Sequence, residues 1–212
     1  MLSHKKSLDI LRKTNALLEG HFVLSSGLHS SKYIQCAKLL SFPHKAEKIC
    51  KSLAGKIKKK FKNFDLILSP AMVGIIIGYE IGRLLKKETI FCERVKGKFQ
   101  LRRGFQIKKG SKVLIIEDVI TTGKSSMECV KLIKNSKAKL IGFATIIDRS
   151  SKNNLKIKKN IVSHLKISVP TYKKNKIPNE LKLIPISTPG SRYTKWDVCL
   201  LYTSPSPRDD VI

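Results

Sequence analysis

The sequence predicts an α/β fold with an open, mostly parallel twisted sheet flanked by helices. Short apolar runs alternate with longer segments of helical periodicity, and this alternation is typical of βαβ units, whose strands are parallel. The chain has 212 residues, of which 42% are hydrophobic, so it is long enough to bury one core. The predicted strands are residues 65–69, 89–94, 112–117 and 140–147.

The helices are predicted from apolar residues that recur every three or four positions. Leucines at this spacing predict an opening helix over residues 7–18, which Gly20 would close. A second helix begins at Pro43 and carries lysines on its outer face. Further helices are predicted over residues 74–85 and 123–135, each following a strand.

The charge balance is strongly basic, with 43 lysines and arginines against 15 acidic residues and a net charge of +28. Such an excess suggests nucleic-acid binding. However, the lysines spread along the chain and form no arginine-rich stripe, so we expect a solvated lysine surface and no specific nucleic-acid partner. The chain has no apolar run of signal-peptide or membrane-span length, which predicts a cytoplasmic protein without a membrane contact.

The five cysteines are scattered along the chain, and none belongs to a C-x-x-C pair. They also lack nearby histidines at metal-ligand spacing. The sequence therefore predicts neither a disulfide framework nor a zinc site, and we expect most of the cysteines to be small core residues.

The segment from residue 113 to residue 126 combines the most apolar strand with two acids and a turn of small residues that opens a helix. N–H groups at a helix start are unpaired and carry the positive end of the helix dipole, so they suit a phosphate monoester. Glu117 and Asp118 would accept hydrogen bonds from a neighbouring sugar diol. Ordinary acidic capping of a helix is the alternative. A nucleoside-triphosphate P-loop is excluded, because its first glycine would fall at position 118, which is occupied by Asp118.

This segment resembles the signature of type I phosphoribosyltransferases, which use 5-phosphoribosyl 1-diphosphate (PRPP). The resemblance implies a small N-terminal hood and a mobile catalytic lid beside the sheet. It also implies that the two acids bind the ribose hydroxyls of PRPP and that the turn binds its 5'-phosphate. The residues concerned are Glu117, Asp118, Val119, Ile120, Thr121, Thr122, Gly123, Lys124 and Ser125.

A basic, glycine-punctuated segment over residues 93–105 is predicted to be the lid. Cations that close over a departing pyrophosphate stabilise the transition state more than the ground state, and Arg94 and Lys98 are the candidates for this catalytic and PRPP-binding role. A lysine-rich hairpin tip is the alternative. The segment resembles the catalytic loop of one bacterial branch of orotate phosphoribosyltransferases, and residues 22–30 resemble the same branch.

Two strand ends extend the resemblance. Ser69, Pro70 and Ala71 follow a strand as the family's pyrophosphate loop does, although an ordinary strand-to-helix turn is the alternative. Arg149 offers the planar, two-pronged geometry that binds a carboxylate, although a surface ion pair is the alternative. By resemblance, Thr121 and Arg149 contact orotate.

Together these resemblances imply an orotate phosphoribosyltransferase. We expect Mg²⁺ held mainly through the substrate, with no metal ligand directly from the protein, and the resemblance implies a homodimer whose lid acts across subunits. Residues 1–196 would form one phosphoribosyltransferase domain, with a hood from about residues 1–40 plus a C-terminal part. Residues 197–212 lack lysine and are predicted to be a non-native or disordered tail. The alternatives are a purine or uracil phosphoribosyltransferase, and a non-catalytic regulator that senses PRPP.

Overall fold

A computed structural model describes residues 2–24, 26–150, 155–157 and 160–189. Contacts divide the chain into two compact units. The larger unit comprises residues 1–18 and 34–169, and the smaller unit comprises residues 19–33 and 170–212. The predicted tail over residues 197–212 lies outside the described residues, and the single domain through residue 196 stays a prediction.

The four predicted strands and the four predicted helices occur in the predicted order, together with further elements that were not predicted. Their bounds are α1 His4–Lys13, β1 Leu17–Val23, β2 His29–Ile34, α2 Cys36–Leu40, α3 Pro43–Lys60, β3 Leu66–Pro70, α4 Val73–Leu85, β4 Glu88–Val95, β5 Lys98–Leu101, β6 Lys112–Ile120, α5 Lys124–Asn135, β7 Lys139–Asp148, β8 Ile161–Lys166, β9 Thr171–Tyr172, a 3-10 turn Lys174–Lys176, α6 Asn179–Lys182 and β10 Ile186–Ser187.

The larger unit contains a six-stranded sheet in the order β5-β4-β3-β6-β7-β8. The pairs β4–β3, β3–β6, β6–β7 and β7–β8 are all parallel, and β5 is an antiparallel edge strand. The open, mostly parallel sheet is therefore confirmed. Because parallel strands end at the same edge, the loops after β3, β6 and β7 lie along one edge of the sheet, where ligands bind in such folds.

The core of the larger unit lies on the two faces of this sheet. One cluster is built on α3 and α4, and the other lies under α5. Cys36, Cys50, Cys92 and Cys129 are free thiols and all are buried, so the expectation that most cysteines are core residues is confirmed for these four. Within the described ranges, the helices are either too short or too polar to cross a membrane.

The opening helix is shorter than predicted, and its assignment to residues 7–18 is wrong at both ends. Ser3 caps α1 by accepting a hydrogen bond from the Lys6 N–H, so the helix begins earlier. Asn15 adopts a left-handed backbone with φ 53°, which ends the helix before the last two leucines. Leu17 and Leu18 instead begin β1, and Gly20 lies inside that strand.

The smaller unit contains the second sheet, in the order β10-β1-β2-β9. Two buried histidines lie on its neighbouring strands, and His21 Nε2 is 2.7 Å from His29 Nδ1. His21 Nδ1 lies 3.2 Å from the Ile184 carbonyl oxygen. Burial and the neighbouring His21 lower the pKa of His29.

Candidate functional site

The two acids lie inside the last part of β6 rather than after it, because this strand continues to Ile120. Successive strand residues point to opposite faces of a sheet. Glu117 accordingly bonds to Ser126 of α5, whereas burial and the charge of the Asp118 carboxylate raise the pKa of Cys36 on α2. The acids therefore present carboxylates on both sides of the central strand, at the edge where ligands bind.

The Glu117 carboxylate is buried and makes one short side-chain hydrogen bond within the described part of the chain. It is 6% exposed, and its Oε1 accepts a hydrogen bond from Ser126 Oγ at 2.6 Å. The pKa of Glu117 is raised to about 7: burial contributes most, the Ser126 hydroxyl opposes the rise, and the charges of Asp118 and Glu128 add to it. A strongly perturbed carboxylate at a sheet edge is typical of a functional site.

Asp118 is half-buried, and burial raises the pKa of its carboxyl as well. Backbone N–H groups of Val119 and of Asp118 itself oppose this rise in its pKa by hydrogen bonding to the carboxylate. The Asp118 backbone is held in turn, because Thr145 Oγ1 on β7 donates to its carbonyl at 2.9 Å. Its position is thus set by two neighbouring strands.

The loop after β6 leads directly into α5. Thr121 and Thr122 are exposed, and Gly123 adopts a left-handed backbone with φ 72° at the start of the helix. A Cβ at Gly123 would come within 2.6 Å of Ile157 Cγ1, so both conformation and space favour glycine here. Gly123 has no side chain to cap this helix end, and the Lys124 N–H donates to Thr122 Oγ1 at 3.4 Å. A helix start leaves its first N–H groups without partners inside the helix, so this loop suits a phosphate.

The loop after β3 lies at the same sheet edge. Ser69 and Pro70 end β3, and the Ala71 N–H donates to the Cys92 carbonyl oxygen at 2.8 Å. Pro70 has no N–H, so this loop has few donors until α4 begins at Val73. The Ser69 hydroxyl is buried against α4, where a Cβ at Gly78 would overlap it. An anion at this loop would therefore meet the first turn of α4.

The predicted lid is an antiparallel β-hairpin formed by β4 and β5. Lys96 and Gly97, with φ 47° and 79°, form its two-residue turn. Arg94 lies on the side of the hairpin facing α5, and its Nη1 is 2.9 Å from Glu128 Oε2. Its guanidinium also lies 4.1 Å from the centroid of the Phe99 ring. Lys98 is exposed at the first position of β5.

Arg149 directly follows β7 and is half-buried. Its backbone N–H donates to the Ile120 carbonyl oxygen at 2.8 Å, which holds it beside the end of β6. Both Asp118 and Arg149 influence the pKa of the buried Cys36 thiol, which burial raises well above its ordinary value. The structure thus brings Arg149 to the same region as Asp118.

Three contacts of this site were not predicted from the sequence, namely those made by Ser126, Glu128 and Thr145. Ser126 has a readable signal, because it occupies the first position of a stripe over residues 126, 129, 130 and 133 whose other members are apolar and buried. Glu128 and Thr145 carry no such signal, since their roles depend on the pairing of distant elements.

The comparisons with known proteins agree with this geometry. The family described as "Phosphoribosyl transferase domain" matches residues 42–177. An orotate phosphoribosyltransferase from Parvibaculum lavamentivorans is 42% identical over 193 residues, which cover 91% of this chain and 99% of that protein.

Solved structures show the same fold at lower identity. The crystal structure of orotate phosphoribosyltransferase from Aeropyrum pernix is 21% identical, with a TM-score of 0.64 over 75% of this chain and 92% of that chain. Adenine phosphoribosyltransferase from Saccharomyces cerevisiae is 17% identical, with a TM-score of 0.60 over 74% of this chain and 99% of that chain. The fold alone thus does not distinguish orotate phosphoribosyltransferases from adenine phosphoribosyltransferases. The chain belongs to the phosphoribosyltransferase family, among the orotate phosphoribosyltransferases.

Proposed function

We propose that this chain transfers the ribose 5-phosphate of PRPP to orotate, giving orotidine 5'-phosphate and pyrophosphate. The observation that carries the proposal is the acid pair at the end of the central strand, followed within a few residues by the start of α5. This arrangement offers acceptors for a sugar diol beside donors for a phosphate. The identity to the Parvibaculum orotate phosphoribosyltransferase supports orotate as the acceptor.

The site residues divide between the two substrates. Glu117 and Asp118 accept hydrogen bonds from the ribose hydroxyls, and residues 119–125 surround the 5'-phosphate. The loop of Ser69, Pro70 and Ala71 lies against the pyrophosphate. Thr121 and Arg149 contact orotate, and the Arg149 guanidinium pairs with its carboxylate.

The reaction is a displacement at ribose C1 that needs no protein nucleophile. The bond from C1 to the pyrophosphate oxygen breaks, and the bonding electrons leave with pyrophosphate. A new bond forms between C1 and orotate N1, and the proton of N1 is released to water. Positive charge develops on the ribose ring and negative charge on the leaving group, so Arg94 and Lys98 favour the transition state when the hairpin closes over the site. The protein supplies positioning, charge and exclusion of water.

We propose Mg²⁺ as the cofactor. This hard cation keeps several waters and usually binds through substrate phosphates, so we expect no direct ligand from the protein. When bound, Mg²⁺ neutralises negative charge on the pyrophosphate oxygens. Glu117 and Asp118 would hold it indirectly, through the ribose hydroxyls that they orient.

We also propose a homodimer formed through one face of α4. Met72, Ile76 and Tyr79 recur at helical spacing, and they are 82%, 52% and 68% exposed. An exposed apolar face of this kind favours burial against a second copy. In the dimer, the hairpin with Arg94 and Lys98 serves the partner's site, and both residues are exposed.

We place the reaction in the cytoplasm, in the synthesis of UMP.

The test is PRPP-dependent loss of orotate absorbance, with and without Mg²⁺. Adenine, hypoxanthine and uracil serve as alternative acceptors in parallel reactions. The proposal predicts turnover of orotate alone, and only when Mg²⁺ is present. Consumption of another base in place of orotate would indicate a different phosphoribosyltransferase, and PRPP binding without turnover of any base would indicate a regulator.

A further inference from the structure

Ser126 is a polar residue in a position where an apolar residue is expected. It belongs to the face of α5 that packs on the sheet, together with Cys129, Val130 and Ile133. Ser126 is 0% exposed, so its hydroxyl has been removed from water. A buried hydroxyl is costly unless it is hydrogen-bonded, and an aliphatic side chain here would gain burial without that cost. The position therefore suggests that the hydroxyl itself is used.

The partner of this hydroxyl is a residue of the substrate site. Ser126 Oγ donates to Glu117 Oε1 at 2.6 Å, and both side chains are buried. An O–H donor to an ionised carboxylate at this distance is a charge-assisted hydrogen bond, which is stronger than a neutral one. The bond fixes Oε1 on the helix side, which leaves the other carboxylate oxygen, Oε2, to accept from a substrate hydroxyl.

We propose that Ser126 is a positioning residue, which orients the Glu117 carboxylate and keeps it in its ionised, hydrogen-bond-accepting form for the ribose diol. This inference rests on the proposed function, because it assigns the diol to Glu117. Ser126 itself touches no substrate in this account.

The surroundings of Glu117 explain why such help is needed. Asp118 on the same strand and Glu128 on α5 are both acidic, and both raise the pKa of Glu117. The Cys129 thiol on α5 also interacts with Glu117, and Thr145 lies opposite it on β7. Among these described groups, the Ser126 hydroxyl is the one that lowers the pKa of Glu117. Without the Ser126 hydroxyl, the Glu117 carboxyl takes up a proton at higher pH. One of its oxygens then donates a hydrogen bond instead of accepting one.

The experiment compares pH profiles of kcat/KM for PRPP between pH 5.5 and 9 for the native chain, Ser126→Ala and Ser126→Thr. Loss of a hydrogen bond to a charged group predicts that the acidic limb of Ser126→Ala moves to higher pH by about one unit, with roughly tenfold lower kcat/KM at the acid end. Ser126→Thr keeps the hydroxyl and should restore the native limb. Ser136→Ala, at the other end of α5, is the matched control, because its hydroxyl bonds only to the Leu132 carbonyl among the described contacts.

A merely structural role for Ser126 predicts a different result, in which kcat/KM falls by the same factor at every pH and the acidic limb stays in place. That outcome would overturn the inference. If Ser126→Ala does not fold, Ser126→Cys replaces it, assayed under reducing conditions; as a weaker donor of similar size, it should move the limb in the same direction by less. An unmoved limb in that variant would equally overturn the inference.

A second measurement separates this inference from the proposed function. Titration of the Glu117 carboxyl carbon by NMR in the free protein requires no substrate. The inference predicts that Ser126→Ala titrates at higher pH than the native chain, whether or not orotate is turned over. An unchanged titration would refute the positioning role, whereas native protein inactive towards orotate would refute only the proposed function.

Discussion

Glu117→Gln should make the free protein more stable at neutral pH, although it removes a residue of the substrate site. Burial raises the pKa of Glu117 from 4.5 to about 7. Below pH 4.5 the folded and unfolded chains both hold the proton, so burial of the charge costs nothing. As the pH rises through this window, the unfolded chain releases its proton first, and the folded state loses stability until about pH 7.

The size of the effect follows from these two pKa values. At ~1.4 kcal/mol per pH unit, the full cost of ionising buried Glu117 is about 3.5 kcal/mol, of which roughly 2.5 kcal/mol falls between pH 5 and pH 8. Glutamine keeps the acceptor for Ser126 and does not titrate. The stability of Glu117→Gln relative to the native chain should therefore rise by that amount between the two pH values.

The assay is urea unfolding of both proteins at pH 5 and pH 8. Burial also lowers the pKa of His164 from 6.5 to about 4, so the folded state loses stability as the pH falls. The quantity to compare is therefore the difference in unfolding free energy between the two proteins at each pH. His164 is present in both proteins and cancels. The exposed Glu88→Gln variant controls for the loss of one negative charge. An equal stability difference for Glu117→Gln at both pH values would refute the reasoning.

Three further outcomes are expected. Lys98→Ala should lower kcat far more than it weakens PRPP binding. If hairpins act across subunits, mixing this variant with a Glu117–Asp118 double variant should restore part of the activity. An inactive mixture would favour a hairpin that works within its own chain. Ile76→Glu should shift the protein from dimer to monomer in analytical ultracentrifugation, and an unchanged dimer would place the interface elsewhere. Gly123→Ala should cost about 2–4 kcal/mol in urea unfolding, because it combines backbone strain with a clash. Gly110→Ala shares the positive φ without a nearby atom, and an equal loss there would contradict the role of the clash.

The parallel sheet was predictable because its strands are buried on both faces and are read as short apolar runs between amphipathic helices. The edge strand β5 and the strand β8 were not predicted, since they are short or interrupted by polar residues. The opening helix was extended too far, because Leu17 and Leu18 continue the helical spacing while Asn15 ends the helix by its backbone conformation. Local backbone geometry of this kind is not visible in apolar periodicity.

The site was predictable where its residues are contiguous in sequence. Glu117, Asp118 and the loop after them are read together, because one strand end delivers all of them. The contact between Arg94 and Glu128 was not predicted, because it depends on how a hairpin packs against a helix more than 30 residues later. The contact of Ser126 was missed for another reason, since Ser126 was assigned to the turn that suits a phosphate and not recognised as the polar exception in a buried helical stripe.

The central claim is that the acid pair and the start of α5 together bind the ribose phosphate that is transferred to orotate. The most direct test incubates the full chain with PRPP, orotate and Mg²⁺ and measures orotidine 5'-phosphate and pyrophosphate in the same reaction. We predict equal amounts of the two products from the native chain and loss of both when Glu117 and Asp118 are changed together to Gln and Asn. Orotate left unconsumed by the native chain, or full activity in the double variant, would contradict the claim.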